Sequence, residues 1–176
     1  MIKGGKRIVL TGFMGVGKST VARHLSYLVS EDRLDLDDFI ENAEARKIPE
    51  IIDIDGIDRF RLIETDCLRK ILDETPIRII SLGGGAWTTE ENREMIQNCG
   101  CISVWLESTF EHCWRNIRSS RREHPLVKNK SQARKLFKER EKLYCLADWH
   151  FVINPGHNSF EVAKQIASEI FLAEIH

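Results

Sequence analysis

The stretch Gly12-Phe13-Met14-Gly15-Val16-Gly17-Lys18-Ser19 has the spacing G-x-x-x-x-G-K-S and decides the fold of this chain. Its glycines let backbone N–H groups converge on a phosphate at angles that a Cβ would forbid. Lys18 offers a positive charge to the β- and γ-phosphates, and the Ser19 hydroxyl is a ligand for Mg²⁺. Residues 7–10 predict a buried strand before the loop, and residues 20–25 predict a helix whose N-terminus faces the anion. The residues that we expect at the nucleotide phosphates are Gly12, Gly15, Val16, Gly17, Lys18, Ser19 and Thr20.

Composition is that of an ordinary globular chain, and its 176 residues predict a single domain over 1–176. The formal net charge of −1 gives no electrostatic reason to expect a nucleic-acid partner. No apolar run is long enough to span a bilayer, and the first residues lack the apolar core of a signal peptide. The five cysteines are scattered along the chain, which favours free thiols in a reducing cytoplasm.

Predicted strands and helices alternate, which indicates an α/β fold of three layers with helices on both faces of a parallel sheet. Beyond the first unit, the strands are expected at 34–37, 77–82, 101–106 and 149–154. The helices are expected at 38–46, 57–73, 88–97, 131–146 and 159–173, with a further helix after Ser108. Capping boxes are predicted for Thr88 with Glu91 and for Ser108 with Glu111. The polar, basic segment 118–130 is predicted to be a lid.

Two aspartates end the second predicted strand, in Leu34-Asp35-Leu36-Asp37. The period of two predicts that Asp35 and Asp37 lie on one strand face, near the phosphate loop. Two carboxylates there can hold Mg²⁺ through water and accept a proton from a nucleophilic hydroxyl. The alternative is an exposed strand end, with Asp38 beginning a helix cap.

Two predicted helices carry an arginine inside their apolar stripe. Arg61 and Glu64 share the stripe of helix 57–73, and Arg140 lies within that of helix 131–146. A charge on a buried face must be paired, and the guanidinium fork matches a carboxylate. The second ligand is therefore expected to be a small carboxylic acid, the alternative being that both arginines are structural.

Gly83-Gly84-Gly85 follows the predicted strand 77–82 directly. Glycines at the carboxyl end of a strand permit close approach of a ligand to the backbone. The alternative is a flexible turn, for which a single glycine would suffice.

With these motifs in this order, the chain resembles the shikimate kinase family along almost its whole length. The matching segments are residues 12–20, 34–37, 56–64, 81–86 and 136–144. The resemblance implies transfer of the γ-phosphoryl group of ATP to the 3-hydroxyl of shikimate, on the route to chorismate and the aromatic amino acids, with Mg²⁺ as cofactor. It also implies a P-loop kinase fold with a five-stranded parallel sheet in the order 2-3-1-4-5.

The same resemblance implies roles for individual residues. Lys18 and Asp37 would be catalytic, Lys18 stabilising the transferring phosphoryl group and Asp37 holding the reacting hydroxyl as base or orienter. Ser19 would bind Mg²⁺ directly and Asp35 through water. Shikimate would be held by Arg61 and Arg140 at its carboxylate and by the Gly83 and Gly84 backbone. The adenine would lie between Arg118 and the Asn154-Pro155 loop.

The lid departs from the family pattern. The family has an arginine just before Pro-Leu, where this chain has His124 within Arg121-Arg122-Glu123-His124-Pro125-Leu126. Arg121 or Arg122 is the candidate substitute, and a protonated His124 is another. We therefore expect an enzyme whose lid chemistry is unusual and whose turnover is slow.

Two other functions stay open at this stage. One is a kinase of another hydroxy acid such as gluconate, which would not need both Arg61 and Arg140. The other is a weakly active, nucleotide-binding regulatory homologue, which His124 alone favours. In every case the expected partners are small molecules, and we expect a monomer.

Overall fold

Five parallel strands form one sheet in the order β2-β3-β1-β4-β5, which confirms the expected architecture. The computed structural model describes residues 5–121, 123–154 and 156–172. The strands are β1 (Ile8–Thr11), β2 (Arg33–Asp35), β3 (Ile79–Ser81), β4 (Ile102–Glu107) and β5 (Trp149–Val152). The described helices are α1 (Lys18–Val29), α2 (Leu36–Glu44), α3 (Ile48–Asp55), α4 (Ile57–Glu74), α5 (Glu90–Asn98), α6 (Phe110–Ser119), α7 (Lys130–Tyr144) and α8 (Ser159–Glu169), with a 3₁₀ helix at Ala86–Thr88.

The centre of the sheet is covered on both faces. Successive side chains of a strand point to opposite faces, yet Ile8, Val9 and Leu10 of β1 are each 0% exposed. A strand buried on both sides needs a continuous apolar run rather than an alternating one, and β1 has that run. The helices therefore lie on both sides of the sheet, as the alternation of strands and helices predicted.

Register brings three separate segments to one edge of the sheet. Ser81 of β3 pairs with Leu10 of β1 on one side and with Asp35 of β2 on the other. The segments that follow these three strands therefore begin side by side at the carboxyl edge, where ligands bind in open parallel sheets. The segment after β1 is the phosphate loop, and the one after β3 is the glycine triplet.

Asp35 and Asp37 do not share a strand face, so that expectation was wrong. Strand β2 ends at Asp35, and Asp37 lies in the first turn of α2. The Asp35 side chain caps α2 by accepting from the backbone N–H groups of Asp37, at 3.0 Å, and Asp38, at 3.3 Å. Because Asp35 caps a helix that begins at Leu36, the alternation of side chains along the strand ends before Asp37.

Both predicted capping boxes are also wrong, by one residue each. Helix α5 has Thr89 at its N-cap, and the Thr88 hydroxyl instead donates to the carbonyl of Gly85. Helix α6 has Thr109 as its N-cap, which accepts from the N–H of His112. At each boundary two adjacent residues can cap a helix, so the sequence pattern alone does not decide between them.

Helix α3 was not predicted from the sequence. Its N-cap residue, Lys47, makes no side-chain capping bond. Glu41 of α2 caps the helix from a distance, because its Oε1 accepts from the N–H of Ile48 at 3.1 Å. The cap is tertiary and leaves no local signature in the sequence. Among the described residues, no helix combines the length and apolar character needed to cross a membrane.

Candidate active site

The backbone of neighbouring elements packs closely against the phosphate loop. Gly12, Gly15 and Gly17 have φ angles of 144°, 78° and 104°, which side chains rarely adopt. A Cβ on Gly12 would lie 2.7 Å from the carbonyl oxygen of Leu106, and one on Gly15 would lie 2.5 Å from that of Cys113. The end of β4 and helix α6 therefore press on the loop so closely that these positions require glycine.

Lys18 is buried beneath the loop. Its ammonium group donates to the carbonyl oxygens of Gly12 at 2.7 Å and Phe13 at 3.1 Å. Burial lowers the pKa of Lys18 from 10.5 to about 8, although the nearby carboxylate of Asp37 opposes that shift. The side chain is mainly a cation at neutral pH and is held directly at the phosphate loop.

Asp35, at the end of β2, contacts hydroxyl groups of α1 and β3. Its Oδ2 accepts from the hydroxyl of Ser19 at 2.6 Å and from that of Ser81 at 2.9 Å. Mg²⁺ is usually held by one or two carboxylates, several waters and substrate phosphates. A serine hydroxyl touching a carboxylate beside a phosphate loop is a donor set that fits this ion.

The Glu64 carboxylate holds Arg61 in place. The two side chains of α4 form an ion pair at 2.6 Å, and Glu64 is only 1% exposed. Burial raises the pKa of Glu64, while the charge of Arg61 opposes that shift. The pair confirms that both charges lie on the inner side of α4. The apolar spacing of helix 57–73 also predicts that Ile57 lies on this inner side, which was wrong because Ile57 is exposed.

Arg140 is a buried cation of α7, and only 6% of it is exposed. Among the described residues its Nη1 has no hydrogen-bond partner. Burial lowers its pKa, and the adjacent Tyr144 opposes that shift. The Tyr144 hydroxyl donates to the carbonyl of Gly84 at 2.5 Å, and Trp87 Nε1 donates to that of Leu143 at 2.8 Å. These two bonds fasten α7 to the glycine triplet and to the 3₁₀ helix that follows it.

Each glycine of the triplet makes room for a different charged side chain. A Cβ on Gly83 would lie 2.5 Å from Oδ1 of Asp37, and one on Gly85 would lie 2.2 Å from Nη2 of Arg61. A Cβ on Gly84 would lie 3.2 Å from Nη1 of Arg140. The structure therefore explains why one glycine would not suffice. We call the surface formed by Asp37, Arg61, Gly83–Gly85 and Arg140 the glycine wall.

The phosphate loop and the glycine wall line one cavity of about 910 Å³. Lys18, Ser19, Asp35 and the whole glycine wall contribute to it. From the lid, Arg121 and His124 line the same cavity. Arg118 and Asn154 are both exposed and lie outside its lining. The remaining two predicted site residues, Arg122 and Pro155, lie outside the described residues.

Three polar residues of the site were missed by sequence reasoning. Ser81 supports Asp35, Tyr144 holds Gly84, and Asn116 of α6 donates to the carbonyl of Gly15 at 2.7 Å. Ser81 ends β3 at the carboxyl edge, so its position was a usable signal. Tyr144 fits the apolar spacing of helix 131–146, which predicts only a core residue, and Asn116 lies in a strongly amphipathic helix without any local motif.

A phosphate loop after the central strand, with a carboxylate and two inward arginines facing it, defines a kinase of the P-loop class. The family model described as shikimate kinase matches residues 14–171. The chain belongs to the shikimate kinase family.

Individual relatives agree along most of the chain. A shikimate kinase of Ruegeria pomeroyi is 36% identical over 159 residues, which are 89% of this chain and 80% of that protein. One of Rhodopseudomonas palustris is 38% identical over 148 residues, 82% of this chain and 71% of that protein. The solved shikimate kinase of Acinetobacter baumannii, in complex with shikimate, matches with a TM-score of 0.85 and 30% identity, covering 97% and 96% of the two chains.

Proposed function

We propose that this chain is a shikimate kinase that transfers the γ-phosphoryl group of ATP to the 3-hydroxyl of shikimate. The products are shikimate 3-phosphate and ADP, on the route to chorismate and the aromatic amino acids. One observation carries the proposal beyond family membership. The glycine wall presents one carboxylate and two guanidinium groups to the cavity that also contains Lys18. A small acceptor with both a carboxylate and a hydroxyl complements that surface.

The two arginines are assigned to the carboxylate of the acceptor. Arg61 is already paired with Glu64, so its charge is partly neutralised. Arg140 is almost fully buried, and a buried guanidinium is costly unless an anion accompanies it. A bound carboxylate supplies that anion in the planar geometry that a guanidinium fork prefers. Arg140 is therefore the principal carboxylate ligand, with Arg61 beside it and the Gly83 and Gly84 backbone in contact with the acceptor.

Asp37 is assigned to the reacting hydroxyl. In the transfer, the acceptor oxygen bonds to the γ-phosphorus as the bond to the ADP oxygen breaks, and the hydroxyl proton leaves. Asp37 accepts or directs that proton, which its place against Gly83 in the cavity supports. Lys18 and the N–H groups of the phosphate loop stabilise the charge on the phosphates.

We assign Mg²⁺ to Ser19 directly and to Asp35 through water. The 2.6 Å contact between their side chains supports this donor set. When bound, Mg²⁺ neutralises charge on the phosphates. Arg121 and His124 are assigned to the closing lid because both line the cavity. Arg118 and Asn154 remain candidates for the adenine contact, together with Pro155, and Arg122 remains a lid candidate.

The described strands form one sheet, which supports our proposal of a single-domain enzyme, and we propose that it acts as a monomer. All five cysteines are free thiols. Free thiols support our proposal that the enzyme works in the reducing cytoplasm.

A coupled assay of ADP release tests the proposed function. The panel should contain shikimate, its methyl ester and gluconate, each with ATP and Mg²⁺. We expect turnover with shikimate and a fall of about 100-fold in kcat/KM with the ester, because the ester removes the charge that the arginines bind. Silence with shikimate would overturn the proposal, and faster turnover of gluconate would favour a kinase of another hydroxy acid.

A further inference from the structure

Asn116 reaches the phosphate loop from the last turns of α6. Its Nδ2 donates to the carbonyl oxygen of Gly15 at 2.7 Å, and the residue lines the same cavity as Lys18. Helix α6 ends at Ser119, within the predicted lid segment 118–130. The Asn116 side chain therefore connects the phosphate loop with α6, the helix that precedes the lid.

The chemistry of its neighbours fixes the orientation of the Asn116 amide. A backbone carbonyl can only accept, so the group that faces Gly15 must be the NH₂. The same Nδ2 lies 3.2 Å from Nε2 of His112, one turn earlier. Burial lowers the pKa of His112, and the charge of Arg115 lowers it further. A neutral ring leaves Nε2 able to accept the second amide hydrogen.

Gly15 has little freedom to move away from this contact. Its φ of 78° is held by close packing against α6, where the Cys113 carbonyl leaves no room for a Cβ. The N–H of Val16 donates to the carbonyl of Phe13 at 3.2 Å. The peptide plane between Gly15 and Val16 is therefore held at its C=O by Asn116 and at its N–H by Phe13.

We propose that Asn116 is a positioning residue for the phosphate loop and sets its affinity for ATP. By holding the Gly15 carbonyl against α6, Asn116 prevents rotation of the peptide plane that would turn this oxygen toward the phosphates. The neighbouring N–H groups then converge on the anion without a carbonyl oxygen among them. The inference rests on the proposed function only in taking ATP as the nucleotide.

Asn116→Ala and Asn116→Asp separate the loss of the donor from the introduction of a charge. The dissociation constant for ATP is measured by calorimetry without an acceptor, so the result does not depend on the acceptor's identity. We expect an increase of about fivefold to tenfold for Asn116→Ala, in line with the loss of one hydrogen bond. We expect a larger increase, about 30-fold, for Asn116→Asp, because a carboxylate repels both the Gly15 oxygen and the phosphates.

Ser119→Ala is the matched control, because among the described residues its hydroxyl bonds within α6 alone, to the Asn116 carbonyl at 3.2 Å. It should leave ATP affinity within about twofold. A positioning role further requires that the KM for shikimate and the melting temperature of both Asn116 variants stay near wild type. Unchanged ATP binding in both variants would overturn the inference, as would equal losses for ATP and shikimate with a lowered melting temperature. ATP binding that depends on Asn116 in a protein inactive on shikimate would overturn the proposed function but support this inference.

Discussion

The phosphate loop and the glycine wall face each other across one cavity, yet they are built in opposite ways. The loop is a single stretch of eight residues, 12–19, in which glycines shape the backbone. The glycine wall is drawn from α2, α4, α7 and the segment after β3, and it acts through charged side chains. The two surfaces meet only because β1 and β3 are neighbours in the sheet.

Because the two surfaces are built separately, substitutions in them should affect different ligands. Changes to the glycine wall should affect the acceptor or the chemical step and spare the nucleotide. Changes at the loop or its supports should affect ATP first. Substitutions and a change of pH should reveal that division, with effects that range from about a thousandfold to a few-fold.

The largest effect is expected for Asp37→Asn. The amide cannot take up the hydroxyl proton, so kcat should fall by about a thousandfold. ATP binding by calorimetry should stay within a few-fold, because the loop and Lys18 remain. Asp53→Asn, at an exposed position of α3 outside the cavity lining, is the control and should leave kcat nearly unchanged. Persistent turnover in Asp37→Asn would remove Asp37 from the proposed mechanism.

Arg140→Ala should lower kcat/KM for shikimate by about 100-fold, because charged hydrogen bonds to the carboxylate are lost. Steady-state kinetics should show the change mainly in the KM for shikimate, with ATP affinity within twofold. Lys138→Ala, at an exposed position of the same helix, is the matched control. Equal losses for ATP and shikimate would contradict the division between the two surfaces.

The pH dependence should separate the two surfaces without any substitution. Lys18 must be charged to bind phosphates. Because its pKa is about 8, the side chain carries its charge below pH 8 and loses it above. ATP affinity is therefore full at lower pH and lost as the pH rises through 8, by roughly 30-fold between pH 7 and 9.5. Shikimate binding, measured alone, should change little over this range because arginines stay charged. A flat ATP profile would contradict the lowered pKa of Lys18.

Alanine substitutions in the glycine triplet should raise the KM for shikimate most where the new Cβ would lie closest to a charged side chain. Gly85→Ala should raise the KM for shikimate by about tenfold, because the new Cβ would displace the Arg61 guanidinium 2.2 Å away. Gly84→Ala should be milder, since its Cβ would lie 3.2 Å from Arg140. The two KM values check the ranking, and the reverse order would show that the backbone itself matters more than the side chains it admits.

The smallest effect is expected for His124→Arg. A permanent, forked charge in the lid should raise kcat by about threefold, because His124 already lines the cavity beside Arg121. The rate at saturating ATP and shikimate is the measurement. An unchanged rate would indicate that Arg121 or Arg122 already supplies this charge.

Much of the fold was readable because its signals are local. The apolar runs of β1 and β4 and the stripes of α4 and α7 predicted strands and helices within a few residues of their bounds. Two failures occurred where a side chain outside a helix caps it. Helix α3 is capped by Glu41 of α2, and Asp35 caps α2, so that β2 ends before the strand alternation reaches Asp37.

The phosphate loop, the alternation of strands and helices, and the charges on apolar helix faces all follow from the amino-acid sequence alone. Each of these depends on residues close together in the chain, through φ angles or helical period. Two features depend on the folded chain instead: each glycine of the triplet faces a particular charge, and Asn116 holds Gly15 across 101 residues. Those contacts follow from strand order and helix packing, which bring distant residues together and leave no periodic trace in the chain.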